Sequence, residues 1–275
     1  MARYVFGPVP SRRLGISLGM DIVIPKTCNL NCVFCECGPT KDWTIERQHF
    51  ISYEEFIQEL ELALKEVTPD YVTFSGSGEP TLSLDLGKII HYIKKEHPSI
   101  KIAVITNSLL LHREDVLEEI QEADLIMPSL HTVRQEIFEK IVRVYPNYRI
   151  ETVLEGLQKL CSCFRGNIDL ELFLIEGLNT SFSDLKAYAT FVKTLSYRKL
   201  QLNSLDRPGT ESWVKPVPYH KLLEIKEYLE QEGLSGVEII GKFNINQKIT
   251  EDESRMKAMK ERRKYTVEEI KSLYK

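Results

Sequence analysis

The chain has 275 residues, 43% of them hydrophobic and 28% charged, with a formal net charge of −4, a make-up that suits one sizeable globular domain and excludes a disordered or fibrous protein. No apolar run approaches the ~18 residues of a membrane span, and the opening MARYVFGPVPSRR lacks the apolar core of a signal peptide. A membrane protein and a secreted one are therefore not expected, and a cytoplasmic one is.

Residues 1–16 contain Pro8, Pro10 and the polar turn SRRLG, so they read as an extended lead-in and not as a helix. The adjacent Arg12 and Arg13 either face solvent or clamp a phosphate or carboxylate over a nearby site. From Ser17 to Pro25 the text SLGMDIVIP alternates and then runs apolar, the mark of a first strand.

The next stretch, PKTCNLNCVFCECG, holds Cys28, Cys32 and Cys35 in a CxxxCxxC spacing, with Cys37 and Gly38 just behind. Thiolates this close in sequence point at one centre only if the loop wraps around it, which suits a cuboidal iron–sulfur cluster. Three protein ligands on four irons leave one iron open. Structural zinc wants a second Cys or His pair roughly 12–20 residues away, and the other cysteines, Cys161 and Cys163, are distant and one residue apart. A disulfide framework suits neither the length nor the cysteine content. This spacing, with the aromatic Phe34 just before the last cysteine, resembles the radical S-adenosylmethionine (SAM) superfamily, and the resemblance runs over residues 1–240. It implies that Cys28, Cys32 and Cys35 bind a 4Fe–4S cluster whose open iron chelates the amino and carboxylate groups of SAM. It further implies that Phe34 packs near adenine, that a donor such as flavodoxin or ferredoxin supplies the electron, and that a 5'-deoxyadenosyl radical abstracts hydrogen from the substrate.

After a polar loop through His49, SYEEFIQELELALKEV opens with Ser52 as N-cap and Glu55 three residues later, followed by helical spacing. A strand at 71–74 ends in SGSGEP, where glycines permit close backbone approach and Glu79 places a carboxylate. One βα unit beyond the cysteines, this turn resembles the family's Gly-Gly-Glu motif, with Ser77 in place of the usual Gly. The resemblance implies that Gly76, Ser77, Gly78 and Glu79 hold the methionine moiety of SAM. Helix 83–97, strand 100–107, helix 113–122, strand 123–130 and helix 132–141 continue the pattern. Asn107 and Ser129 fall at strand ends, where they either cap the next helix or meet a ribose. PSLHTVRQEIFEKIVR resembles the family stretch whose serine contacts SAM, which makes Ser129 the ribose contact, Arg143 a weaker carboxylate candidate and His131 either a packed residue or a proton-transfer one.

Helix 150–164 ends in CSCFRGN, where Cys161 and Cys163 read as thiols at a helix end rather than ligands of a second cluster. Strand IDLELFLIEG carries Glu171 and Phe173, and Asn179 is placed to cap helix 181–195. Strand KLQLNSL and the following DRPGTESW resemble the last barrel strand of the family, which implies that Asn203 and Arg207 lie near adenine and the substrate mouth. Helix 219–232 and the short strand VEIIG complete a core over residues 1–240, and 241–275 reads as a charged helical tail. Residues 242–275 hold ten Lys/Arg against six Asp/Glu, or +4, which leaves −8 for the remainder. The tail is either a solvated helix or a segment that helps hold RNA.

The expected fold is α/β: six strand–helix units in a partial (β/α)6 TIM-like barrel, with a short further strand. Within the superfamily, PVPSRRLG followed by D-x-x-x-P-K-T-C-N resembles a branch grouped with wyosine-type tRNA-modification enzymes, which implies a nucleotide in RNA as substrate. A glycyl-radical activase acting on a protein partner, and a non-catalytic Fe–S or zinc scaffold, are the alternatives.

Overall fold

In the computed structural model, which describes residues 4–240, the apolar runs form one sheet and the amphipathic stretches between them form helices. β1 (Val5–Ser11) and β2 (Gly15–Met20) make an antiparallel hairpin. The cysteine region follows, carrying a short parallel pair, β3 (Thr27–Cys28) with β4 (Asp42–Trp43). Then come α1 (Tyr53–Glu66), β5 (Tyr71–Phe74), a 3₁₀ turn (Pro80–Leu82), α2 (Leu86–Glu96), β6 (Lys101–Thr106), α3 (Glu114–Glu119), β7 (Leu125–Pro128), α4 (Gln135–Val142) and α5 (Ile150–Cys163). β8 (Asn167–Phe173), α6 (Phe182–Val192), β9 (Lys199–Asn203), α7 (Tyr219–Gln231) and β10 (Val237–Ile239) complete the core.

The main sheet has eight strands in the order β1-β2-β5-β6-β7-β8-β9-β10. Every neighbouring pair after the first hairpin is parallel. β1 and β10 do not pair, so this is a partial barrel with a seam. The six expected strand–helix units are present as β2 and β5 to β9, and β10 is the short further strand. The lead-in was expected only to be extended; it supplies the eighth strand, because Val5–Ser11 finds in β2 a partner for its backbone groups. The expected tail at 241–275 lies outside the described residues. Among the described residues no helix is long and apolar enough to cross a membrane.

Alternation along the strands divides the core in two. Val72, Phe74, Ile102, Val104, Ile126, Leu170, Leu172, Leu200 and Leu202 are all fully or nearly fully buried, packing with helix residues such as Phe56, Leu60, Ile89, Ile93, Leu157 and Val192. The opposite face of the strands builds a smaller cluster from Leu14, Ala103, Leu125 and Met127, with Tyr71 and Ile105 beside it. Nearer the strand C-termini the apolar filling gives way to Thr73, Asn107, Ser129, Glu171 and Asn203. That change of chemistry, at the end of the sheet from which the cysteine loop emerges, is what makes room for a site.

One buried charge holds this end together. Arg47 is 4% exposed at its side chain and pairs with Asp115 at 2.8 Å and with Glu119. It also donates to the carbonyls of Thr81 (2.9 Å) and Ser83 (3.1 Å), fixing the chain that follows the SGSGEP turn.

Candidate functional site

After β2 the chain leaves the sheet, and residues 28–37 fold into a loop pinned from two sides. On one side, Asn31 N–H donates to the Val142 carbonyl and Val33 N–H to the Ile141 carbonyl, both at 2.9 Å, so the end of α4 fixes the loop. Thr40 Oγ1 donates to the Leu30 carbonyl (2.6 Å) and Trp43 Nε1 to the Asn29 carbonyl (3.1 Å). On the other side lies the segment after β9: Glu211 N–H donates to the Val33 carbonyl (3.0 Å), Thr210 Oγ1 to the Cys35 carbonyl (3.3 Å), and Arg207 pairs with Glu36 (2.9 Å). Cys28 Sγ receives Leu30 N–H at 3.5 Å and Asn107 Nδ2 at 3.6 Å. Burial, and then the Glu79 charge, pushes the Cys28 thiol up to about 12. Burial, reinforced by Cys28, also raises Cys32. Without a metal, these two thiols are neutral at pH 7.

The SGSGEP turn is stitched to this loop by two backbone hydrogen bonds, Lys26 N–H to the Ser77 carbonyl (3.0 Å) and Glu79 N–H to the Thr27 carbonyl (3.2 Å). Gly78 sits so close that a Cβ there would lie 2.1 Å from the Thr27 carbonyl oxygen. Ser77 Oγ donates to Asp21 Oδ2 (2.8 Å), a contact that only serine makes possible in place of glycine. The buried Glu79 carboxylate accepts from Thr81 N–H (3.1 Å), Thr81 Oγ1 (2.7 Å), Thr106 Oγ1 (2.7 Å) and Asn107 N–H (2.9 Å). Burial raises its pKa against the pull of these donors. Glu79 thus ties the end of β6 to the turn, and Ser75 and Gly76 are the turn residues that face open space. Asn107, expected at a ribose or adenine, spends its amide on the protein instead. It donates to Cys28 and to Asn29 Oδ1 (2.7 Å) and accepts from Leu109 N–H (3.0 Å).

The opposite wall is aromatic and charged. Phe34 stacks on Phe173 with centroids 4.1 Å apart and meets the edge of His131 at 5.1 Å. Asn179, expected as a helix cap, donates to the carbonyls of His131 (2.8 Å) and Phe173 (2.9 Å), and Ser181 caps α6. Glu171 pairs with Arg13 and lies 3.5 Å from Asn203 Nδ2. Its burial would raise the carboxyl, but the Arg13 charge and hydrogen bond outweigh it and hold the pKa low. Ser129 bridges to Glu171 through the backbone, and Ser108 Oγ donates to its carbonyl (2.9 Å). Of the adjacent arginines, Arg13 lines the cavity described below and pairs with Glu171, while Arg12 pairs with the exposed Asp206, so the hairpin turn is tied to β8 and to the segment after β9. Arg143 pairs with Glu211 at 2.6 Å beneath the loop.

His131 accepts the Phe173 N–H at Nδ1 (3.1 Å) and is therefore neutral; burial pushes its pKa down to about 4, with the Glu171 charge opposing. The folded state then binds fewer protons than the unfolded chain between pH 6.5 and 4, so stability falls as pH falls through that window. Acidification across it is expected to cost on the order of 1–3 kcal/mol at this residue. Urea unfolding at a series of pH values should show a shallower acid limb in His131→Gln; an unchanged limb would refute the assignment.

A cavity of about 170 Å³ lies between the hairpin and the cysteine loop, lined in part by Arg13, Glu36, Cys37, Thr73, Ser75 and Gly76. Loop, turn and cavity are thus contiguous. Cys161 and Cys163 end α5 where β8 begins, at the other end of the sheet. Asp21, Glu36 and Phe173 are site residues that local patterning missed, because their roles come from the chain crossing itself. Among the described residues no three His, Cys, Asp or Glu side chains meet as the ligands of a single ion do; a cube of four irons is a larger object and takes its thiolates from farther apart.

Comparison with known proteins bears on the family and the fold. A model of the Radical SAM superfamily matches residues 22–185. UPF0026 protein MJ1312 of Methanocaldococcus jannaschii is 33% identical over 246 residues, covering 88% of this chain and 76% of that protein. A radical SAM methyltransferase from Sphaerobacter thermophilus superposes with a TM-score of 0.62 at 16% identity, covering 81% of this chain and 66% of that one. TYW1 with a lysine-pyruvate adduct bound superposes with a TM-score of 0.60 at 20% identity, covering 82% and 76%. At these identities the two structures speak for the fold.

Proposed function

The chain belongs to the radical SAM superfamily, and on that premise we propose that Cys28, Cys32 and Cys35 hold its 4Fe–4S cluster while the Gly76–Glu79 turn, Phe34, Ser129 and Asn203 receive SAM. The observation that carries this reading is the joining of the three-cysteine loop to the SGSGEP turn by two backbone hydrogen bonds. Soft thiolates from one loop are the donor set such a cluster takes, and three of them leave an iron for SAM. When bound and reduced, the cluster supplies the electron that cleaves SAM to methionine and the 5'-deoxyadenosyl radical that removes hydrogen from a substrate.

The chain's own residues position and shield. Ser77 and Glu79, anchored on Asp21 and on Thr81, Thr106 and Asn107, hold the turn rigid for the methionine end. Phe34, stacked on Phe173, offers a flat apolar surface to adenine. Asn203 and Ser129 present polar groups from the ends of β9 and β7, the strands on either side of β8, and Asn107 steadies Cys28. Arg207, paired with Glu36, lies in the segment that pins the loop from the β9 side. Anaerobic reconstitution with iron and sulfide, followed by SAM and dithionite, should give a brown protein that forms 5'-deoxyadenosine only with reductant. A colourless protein that retains stoichiometric zinc would defeat this reading.

For the substrate we propose a nucleotide in RNA. Support comes from the resemblance of PVPSRRLG and PKTCN to the wyosine-related branch. Arg12, Arg13, Arg143 and Arg207 are each matched by a carboxylate, so we assign the grip on phosphates to residues 242–275 with their +4 charge. Total tRNA should stimulate 5'-deoxyadenosine formation several-fold, less so at higher salt. No stimulation would turn the search to peptides and small molecules.

A further inference from the structure

Four large apolar side chains that face solvent stand on two neighbouring strand–helix units: Phe182 (56% exposed) at the start of α6, Trp213 (49%) in the connection after β9, and Tyr219 (65%) and Leu223 (38%) on α7. Single exposed apolar residues are ordinary, but these are gathered. Tyr219 and Leu223 are one helical turn apart and share a face. α6 packs on α7, where the Phe182 and Tyr228 rings meet at 4.7 Å. Nor does Trp213 reach solvent because its segment is loose. Glu211 N–H donates to the Val33 carbonyl (3.0 Å), Val217 N–H donates to Ser204 Oγ (2.8 Å), and Val214 between them is buried. The indole is held outward by a connection fixed on both sides.

What covers these side chains follows from where the chain goes next. β10 pairs parallel with β9, and Ile240 N–H donates to the Leu202 carbonyl (2.9 Å), so the chain runs toward the end of the sheet where the cysteine loop lies and where the connection after β9 begins. α7 packs on β10, which sets the helix beside that exit. The sequence continues at 241–249 as GKFNINQKI, in which Phe243, Ile245 and Ile249 are the first large apolar residues. At ~3.3–3.6 Å per residue, the five steps from Ile240 to Ile245 reach at most about 18 Å, more than the ~10–12 Å width of a helix. Charge favours the same contact, since residues 242–275 carry +4 against −8 for the remainder.

We propose that residues 243–249 pack on Trp213, Tyr219 and Leu223, and that this docking holds the basic run 255–264, with six Lys/Arg and one Glu, at the cysteine-loop end of the sheet. The docking stands apart from the RNA reading above; its use, bringing basic side chains to a nucleic acid there, rests on that reading.

Reconstituted full-length protein carrying Phe243→benzoylphenylalanine should, on irradiation, join that position to residues 213–223 of the same chain. A link between two chains would give the face to a second copy, and a link elsewhere, or none, would place the segment elsewhere; each result overturns the proposal. The chain has two tryptophans, Trp43 and Trp213, so in Trp43→Phe the remaining emission reports Trp213. Adding Phe243→Ser and Ile245→Ser to that protein, at matched iron content, should move the emission to longer wavelength and raise acrylamide quenching about two-fold. Equal quenching would overturn the proposal, as would a Trp213 that becomes protected only when tRNA is added. Docking seen in a protein that tRNA does not stimulate would defeat the RNA reading and leave this inference standing.

Discussion

Alanine at Cys28, Cys32 or Cys35, each alone, is expected to reduce cluster content and reductant-dependent 5'-deoxyadenosine formation to background, while alanine at Cys37, Cys161 or Cys163 leaves both near wild type. The three loop thiols are half-buried and held by a backbone that α4 and the segment after β9 fix independently of any metal. Removing one sulfur should therefore cost the fold only about 1 kcal/mol, so the loss will be one of ligation and not of folding. A cube stripped of one of three protein ligands has a second exposed iron and no substitute nearby. Cys37 is the nearest candidate, but its thiol lies 3.4 Å from the Gly76 carbonyl and faces the cavity. Cys161 and exposed Cys163 sit at the far end of the sheet. Iron and sulfide per chain, visible absorbance and product formation decide the matter; a single loop variant with full iron content would sink the ligand assignment.

Gly78→Val should be nearly as damaging for a purely steric reason. The first side-chain carbon would lie 2.1 Å from the Thr27 carbonyl oxygen and 2.6 Å from the Val23 side chain. The first of these is backbone and cannot rotate away. The turn and the cysteine loop must part, breaking the Glu79–Thr27 and Lys26–Ser77 hydrogen bonds, and together these should cost about 3 kcal/mol. SAM binding is expected to weaken at least ~10-fold, since that loss of about 1.4 kcal/mol is well within the strain released into the turn. Gly177→Ala is the control. It also strains the chain, at φ +76°, but meets nothing within 4 Å, so it should lose about 1 kcal/mol of stability and no SAM affinity. Urea unfolding and equilibrium dialysis with labelled SAM on reconstituted protein distinguish the two; wild-type affinity in Gly78→Val would refute the role of the turn.

Much of this architecture is legible from local pattern. The helix expected at 52–67 is Tyr53–Glu66 with Ser52 as its cap, and that expected at 219–232 is Tyr219–Gln231. Both are amphipathic stretches with clear ends. The strand expected at 17–25 stops at Met20, because Asp21 donates its N–H to the Tyr4 carbonyl and turns its carboxylate to Ser77, taking the chain out of the sheet. The helix expected at 83–97 begins at Leu86, since Pro80–Leu82 closes its own short turn first. What local pattern does not carry is partnership. Nothing in VFGPVPS announces a hydrogen-bonded edge strand, and nothing near Asn107 announces that its amide is claimed by Cys28 and Asn29. Glu171 is legible as a carboxylate on a strand, but its Arg13 partner lies 158 residues away.

The segment that closes over the cysteine loop comes late. Thr210 reaches back across 175 residues to the Cys35 carbonyl, and Glu211 and Arg207 make their contacts from the same stretch. At roughly 5–20 residues per second on the ribosome, the 175 residues separating Cys35 from Thr210 amount to a delay of about 9–35 s. Throughout that interval the thiols are in the growing chain while one side of their enclosure has yet to be synthesised. A nascent chain that stalls before residue 207 therefore lacks the contacts of Arg207, Thr210 and Glu211 that pin the cysteine loop from that side.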